Sequence, residues 1–171
     1  MKKIAIFGKP GSGKSTLSKA LASAVGIPLY QLDSLVFKAN GERVAREIYD
    51  QTHQDILSRE QWIIDGFGPL ASFNRRLTAA DTLIYIDLPY PTSYWLATKR
   101  MLKGLWVKPE GWPDGSSVLK GTLQSYKMLK LSPTFWNDDF VKGLTERSQD
   151  KELHHIKSVA ELNGFVRCVT K

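Results

Sequence analysis

Short apolar runs alternate along this chain with stretches whose apolar residues recur at helical spacing. The run "KIAIF" (3–7) predicts a first strand. Behind it, Leu17, Ala20, Leu21, Ala24 and Val25 recur at spacings of three, four, seven and eight, which predicts a helix with those residues on its buried face. Gly26 and Pro28 mark its end. "IPLYQL" (27–32) predicts a second strand reaching Asp33, and Asn40-Gly41 breaks the stretch that follows. A helix over about 44–59 carries Val44, Ile48 and Ile56. "WIID" (62–65) and "TLIYIDL" (82–88) predict the third and fourth strands, with Pro89 and Pro91 at the entry to a helix near 92–103. "GLWVKPEGWPDGSS" (104–117) changes composition; its two prolines and three glycines predict a loop or lid. Helices are expected over 117–130 and 134–147, a last strand at "LHHIKS" (153–158) and a closing helix at "VAELNGFV" (159–166). His154 and His155 are neighbours on that strand and face opposite ways, so they do not share a ligand. The alternation predicts one α/β domain over 1–171, built on a mainly parallel sheet. It carries an acceptor-binding insertion at about 33–60 and a lid or helical insertion at about 104–150.

Composition narrows the function classes. At 171 residues and 42% hydrophobic, the chain has the size and make-up of one soluble globular domain. No apolar stretch approaches the roughly 18 residues needed to cross a bilayer, so no membrane partner is expected. The basic start "MKK" leads into an apolar run of only four residues, which reads as a strand and not a signal peptide. A lone cysteine, Cys168, permits no intrachain disulfide, and a cytoplasmic location is expected. Three histidines and one cysteine show no zinc-ligand spacing. The formal charge of +7 favours anionic partners. Between Lys99 and Lys142, eight basic residues face four acids, which suits either a solvated basic face or a lid over phosphates.

The chemistry begins at "GKPGSGKST". Gly8, four residues, then Gly13, Lys14 and Ser15 complete the phosphate-loop pattern G-x-x-x-x-G-K-[ST], between a predicted strand and a predicted helix as the pattern requires. Glycines let consecutive N–H groups turn inward around an anion, and the helix N-terminus adds its positive end. Gly8, Lys9, Pro10, Gly11, Ser12, Gly13, Lys14, Ser15 and Thr16 are thus expected to bind ATP, Lys14 on the β/γ-phosphates and Ser15 on Mg²⁺. A carboxylate for Mg²⁺ belongs at the end of a neighbouring strand, and Asp65 and Asp87 both qualify.

"FGKPGSGKSTLSKALA", "GIPLYQLD", "WIIDGFG" and "ADTLIYIDLP" follow one another as the corresponding segments do in adenylate kinase and its relatives. Among these the chain most resembles the small DNA topology modulation proteins, through "LD" after the second strand, "WIIDG", and the "RL" before "AD". The resemblance covers about residues 2–103, weakens over 104–150 and returns near "HIKSVAEL". It implies a three-layer P-loop kinase fold with a five-stranded parallel sheet in order 2-3-1-4-5, helices on both faces and a small lid, and it makes Asp65 the Mg²⁺ carboxylate. There are departures. Where nucleoside monophosphate kinases carry an arginine after "DGFP", this chain has Pro69; Arg75 and Arg76 follow one to two turns later, as substitutes or as helix-end residues. Of two arginines usual in the helix after the fourth strand, the second matches Arg100 and the first is Leu96. The lid lacks a cysteine cluster and the stretch from Asp33 to Trp62 is short for an AMP-binding domain, which argues against AMP as acceptor.

The catalytic set expected is therefore Lys14, Asp33 and Arg100, with Asp33 orienting or deprotonating an acceptor hydroxyl. Asp33, Arg43 and Arg76 are expected at the acceptor, with Lys38 and Arg46 near them; Ser15 and Asp65 are expected at the metal. Phe37, Phe67 and Phe73 line the acceptor or pack in the core. Trp62 and Trp95 read as core, whereas Trp106, Trp112 and Trp136 read as part of a nucleotide lid, with nucleic-acid stacking as the alternative. The expected activity is transfer of the γ-phosphoryl group of ATP to a nucleotide, nucleoside or other small hydroxyl or phosphate compound. The alternatives are a nucleotide-binding regulator of DNA topology and a nucleotide hydrolase.

Overall fold

The computed structural model describes residues 1–36, 42–104 and 118–169, with side chains from 121 onward in the last stretch. Five parallel strands form one sheet in the order β2-β3-β1-β4-β5. They are β1 (Lys3–Gly8), β2 (Leu29–Gln31), β3 (Trp62–Asp65), β4 (Thr82–Ile86) and β5 (Glu152–Ile156). In β1, β3 and β4 both faces are covered, so nearly every residue is apolar and fully buried. Alternation then splits the core in two. Ala5 and Phe7 point to one face, with Ile64, Leu83 and Tyr85; Ile4 and Ile6 point to the other, with Ile63, Ile84 and Ile86. Leu17 and Leu21 of α1 (Lys14–Val25) and Leu162 of α8 (Val159–Val169) cover the second face. The first face is covered by α3 (Arg46–Ser58), α4 (Leu70–Ala79) and α7 (Asp138–Arg147), through Tyr49, Ile56, Phe73, Leu77 and Leu144. The remaining helices are α2 (Leu32–Val36), α5 (Tyr90–Gly104) and α6 (Val118–Leu131), with a 3₁₀ turn at Ser132–Thr134.

Several expectations from spacing shift. The buried side of α1 is Leu17, Ser18 and Leu21; Ala24 and Val25, in its last turn, are exposed. In α3 the buried stripe is Tyr49, His53, Ile56 and Leu57, and Ile48 is 60% exposed. That stripe also has i, i+4, i+7, i+8 spacing, but its histidine and tyrosine hide it from an aliphatic count. The second strand stops at Gln31, so Asp33 lies in the first turn of α2. Helix α4 fills a stretch for which no element is anticipated; Ser72 and Arg76 share its buried face with Phe73 and Leu77.

Two tryptophans are misassigned by composition. Trp95 is 61% exposed on α5 and not core. Trp136 belongs to the core and not to a lid: it stacks on Phe7 and Tyr85 with ring centroids 6.2 and 5.3 Å away, and meets Phe67 and Phe140 edge-on. Phe67 and Phe73 pack in the same aromatic cluster, 4.8 Å apart. Phe37, Lys38, Asn40-Gly41 and nearly all of the proposed lid (105–117), with Trp106, Lys108 and Trp112, lie outside the described residues.

Candidate active site

Strands β1, β2 and β3 run parallel, so their C-terminal ends open on one side of the sheet, where α/β folds bind ligands. The loop from Gly8 to Gly13 leaves β1 there and enters α1. Its glycines are required sterically: a Cβ on Gly8 would lie 2.2 Å from the Ile86 carbonyl oxygen, and one on Gly11 2.3 Å from that of Ser93. Both residues have positive φ, 144° and 70°, which only glycine adopts readily. The loop is thus pressed against β4 and α5.

Lys14 folds back over this loop. Its Nζ donates to the Lys9 carbonyl at 2.7 Å and to Ser12 Oγ at 3.3 Å. Burial pushes its pKa down, while Asp65 and Asp33 raise it and Arg100 lowers it. Lys14, Asp33, Asp65 and Arg100, from four separate elements, therefore share one electrostatic space. Arg100 donates to Ser125 Oγ at 2.9 Å; desolvation lowers its pKa and Asp33 opposes that.

The two candidate carboxylates separate here. Asp65 is 4% exposed; Oδ2 accepts from Ser18 Oγ at 3.2 Å, and Oδ1 is buried with no hydrogen-bond partner. Burial raises its pKa, opposed by Lys14 and by the hydroxyls of Ser15 and Ser18. A buried carboxylate oxygen with nothing to bind, beside a serine hydroxyl and a phosphate loop, suits a hard cation such as Mg²⁺. Asp87 is engaged elsewhere: its Oδ1 pairs with Lys9 Nζ, and its Oδ2 with His155 Nε2 at 3.3 Å. Lys9 is 3% exposed and its ammonium also sits 4.4 Å above the Tyr90 ring. The Lys9 side chain is therefore directed at Asp87, and its backbone faces Lys14. His155 stacks on Tyr85 while His154 packs on Phe165, so the two do face opposite ways.

Arg76 does not stand as an exposed grip on an acceptor. It is fully buried, and its Nη2 donates to the carbonyls of Gly66 at 2.8 Å and Phe67 at 3.0 Å. Nε and Nη1 have no hydrogen-bond partner. Burial pushes its pKa down to about 10, opposed by Tyr49 and Asp65. The arginine thus holds the turn just after Asp65 from below, which local spacing gave no means of seeing. Arg43 is exposed three residues ahead of α3, and Arg46 pairs with Asp50 at 3.0 Å on the surface. Sequence reasoning also missed Ser18 as a partner of Asp65; its signal was a hydroxyl on the buried stripe of α1, between Leu17 and Leu21.

Strand order and loop together decide the architecture. The fold is that of the P-loop kinases. A shikimate kinase from Acinetobacter baumannii, solved with shikimate, superposes with a TM-score of 0.57 over 99% of this chain and 90% of its own, at 14% identity. A gluconokinase from Sinorhizobium meliloti gives 0.52 over 99% and 89%, at 17% identity. At these identities the likeness is one of P-loop kinase fold. In sequence, the family model for shikimate kinase matches residues 10–67. A shikimate kinase from Mycobacterium avium is 28% identical over 99 residues, covering 50% of this chain and 56% of its own. The chain spans about half the length of the curated relatives it matches. These relatives are shikimate kinases and not DNA topology modulation proteins.

Proposed function

We propose that the protein is an ATP-dependent kinase that phosphorylates a hydroxyl group of a small hydroxylated carboxylic acid. The observation that supports this reading is Asp65, buried beside α1 with Oδ1 unpartnered, next to a phosphate loop whose Lys14 is influenced electrostatically by Asp65, Asp33 and Arg100. Such a set holds a triphosphate, a metal, an acceptor hydroxyl and the charge of the transferring group at once.

The backbone N–H groups of the loop within Gly8–Thr16, Pro10 excepted, cradle the phosphates, and Lys14 turns from the Lys9 carbonyl to their oxygens. Ser15 and Asp65 Oδ1 would hold Mg²⁺, which supplies charge neutralisation on the phosphates when bound. Asp33, in the first turn of α2, is exposed and accepts the proton of the acceptor hydroxyl or orients its lone pair at the γ-phosphorus. Arg100 offsets the negative charge on the transferring group. Arg43 would meet the carboxylate of the acceptor, and Arg76 fixes the turn behind Asp65. The match over 10–67 takes in Pro10–Thr16 of the loop, Asp33 and Asp65, and shikimate, which names these relatives, is a hydroxylated ring acid. A nucleotide acceptor has no comparable support, since the place of the usual acceptor-gripping arginine is Pro69 and Arg76 is buried.

Coupled measurement of ADP release tests the reading across shikimate, gluconate, AMP, CMP and nucleosides. ADP release that depends on a hydroxylated acid is expected. Release dependent on a nucleotide, or equal with and without any acceptor, overturns it in favour of a nucleotide kinase or a hydrolase.

A further inference from the structure

Much of the positive charge lies outside the proposed catalytic set. Helices α5 and α6 together carry five lysines and one arginine and not a single Asp or Glu, against a net charge of +7 for the whole chain. The two helices pack side by side: Thr98 Oγ1 hydrogen-bonds Tyr126 Oη, and the rings of Tyr94 and Tyr126 lie 5.5 Å apart. Ser93 and Ala97 turn inward toward the phosphate loop, and Thr122 and Leu129 are buried. These contacts fix the outward side of each helix. On α5 it holds Trp95, Lys99 and Leu102, and on α6 Leu123, Lys127 and Lys130, each set at i, i+4, i+7. Trp95 is 61% exposed, Leu102 48% and Leu123 57%, a concentration of bulky apolar groups unusual beside so many charges.

We infer that this outer face docks the protein on an anionic lipid surface. The chemistry of the face selects that partner. Lysines meet lipid phosphates, leucines enter the acyl boundary, and an indole sits at headgroup depth. A second copy of the chain would set lysine against lysine. A nucleic acid would be gripped by aromatic planes between the charges, and this face offers one aromatic ring against two leucines. Surface docking needs no spanning segment, and no helix among the described residues is long and apolar enough to cross a membrane. None of the six residues belongs to the proposed catalytic set. The inference stands independently of the acceptor.

The purified chain is sedimented with vesicles of phosphatidylcholine alone and of phosphatidylcholine mixed with phosphatidylglycerol, over a series of salt concentrations. Retention only on the anionic vesicles, falling steeply with salt, is expected, together with a blue shift of tryptophan emission. The variants Trp95→Ser/Leu102→Ser/Leu123→Ser and Lys99→Gln/Lys127→Gln/Lys130→Gln should each weaken retention about tenfold or more, with circular dichroism and ADP release unchanged. A parallel titration with a single-stranded oligonucleotide separates the two polyanions. No retention, equal retention on neutral vesicles, wild-type retention by the apolar triple variant, or tighter binding to the oligonucleotide would each overturn the inference. If a triple variant misfolds, the wild-type lipid and salt series still decides.

Discussion

Lys9, inside the phosphate loop, reaches across to pair its buried ammonium with Asp87, the residue just past β4. The second oxygen of Asp87 meets His155 on β5, so the loop is tethered to two strands through one carboxylate. The same lysine's carbonyl receives Lys14 Nζ at 2.7 Å. Asp87 is thereby a positioning residue for the loop, whereas Asp65 keeps one buried oxygen without a hydrogen-bond partner.

Asp65→Asn and Asp87→Asn should consequently fail in different ways. Each change keeps volume and removes one charge. Asp65→Asn is expected to abolish most Mg²⁺-dependent turnover with little loss of stability, because an amide oxygen can still accept from Ser18 and burial already disfavours the charged carboxylate. Asp87→Asn leaves the Lys9 ammonium buried with a weaker acceptor, so a stability loss of about 2 kcal/mol and a raised KM for ATP are expected, with kcat less affected. Thermal unfolding and initial-rate kinetics on both variants check this. A larger kcat loss at Asp87 would reverse the assignment.

Lys14→Ala should remove most ATP turnover and keep the fold. The side chain donates to loop atoms, and in the proposed function its charge neutralises the phosphates. Circular dichroism reports the fold and calorimetry the ATP affinity. Turnover near the wild-type level would refute the loop's role.

Arg100→Ala is expected to lower kcat more than it raises KM for ATP. The negative charge it offsets develops most in the transition state, and losses at such arginines range up to about 10³-fold. Thermal unfolding of the variant separates this kinetic effect from any loss of the Ser125 contact between α5 and α6. Equal effects on kcat and KM would place Arg100 in ground-state binding.

His53 makes stability depend on pH. It is buried beside Tyr49 with Nε2 unpartnered, and burial, then Arg76 and Arg75, push its pKa from 6.5 down to about 4, with Asp50 opposing. Between those values the unfolded chain binds the proton and the folded one does not. Stability should therefore fall as pH drops from about 6.5 toward 4, by up to about 3 kcal/mol. His53→Phe, which retains the stack on Tyr49, should flatten that slope in denaturant titrations at several pH values. An unchanged slope would assign the dependence to other groups.

Local spacing alone was enough for the phosphate loop, the five strands and the existence of six of the eight helices among the described residues, because each is written in neighbouring residues. Gly8 and Gly13 frame the loop, Gly26 caps α1 through a bond to the Ala22 carbonyl, and apolar runs mark the strands. The strand order also agreed with what the adenylate-kinase resemblance implied. What sequence could not decide was any question of partnership across the sheet. Asp65 and Asp87 each end a strand beside β1 and look equivalent along the chain. Register separates them: Asp65 stands opposite Ile6, beside α1 and its serines, whereas Asp87 follows Ile86, which stands opposite Gly8, and so meets Lys9. Arg76 and Trp136 were misplaced for the same reason. Each looks like a surface or lid residue by type, and each is buried by elements distant in sequence: Arg76 by the turn after β3, Trp136 by Phe7 of β1 and Tyr85 of β4. Hydrophobic periodicity records which side of an element is covered; which residue covers it is set only when the chain closes on itself.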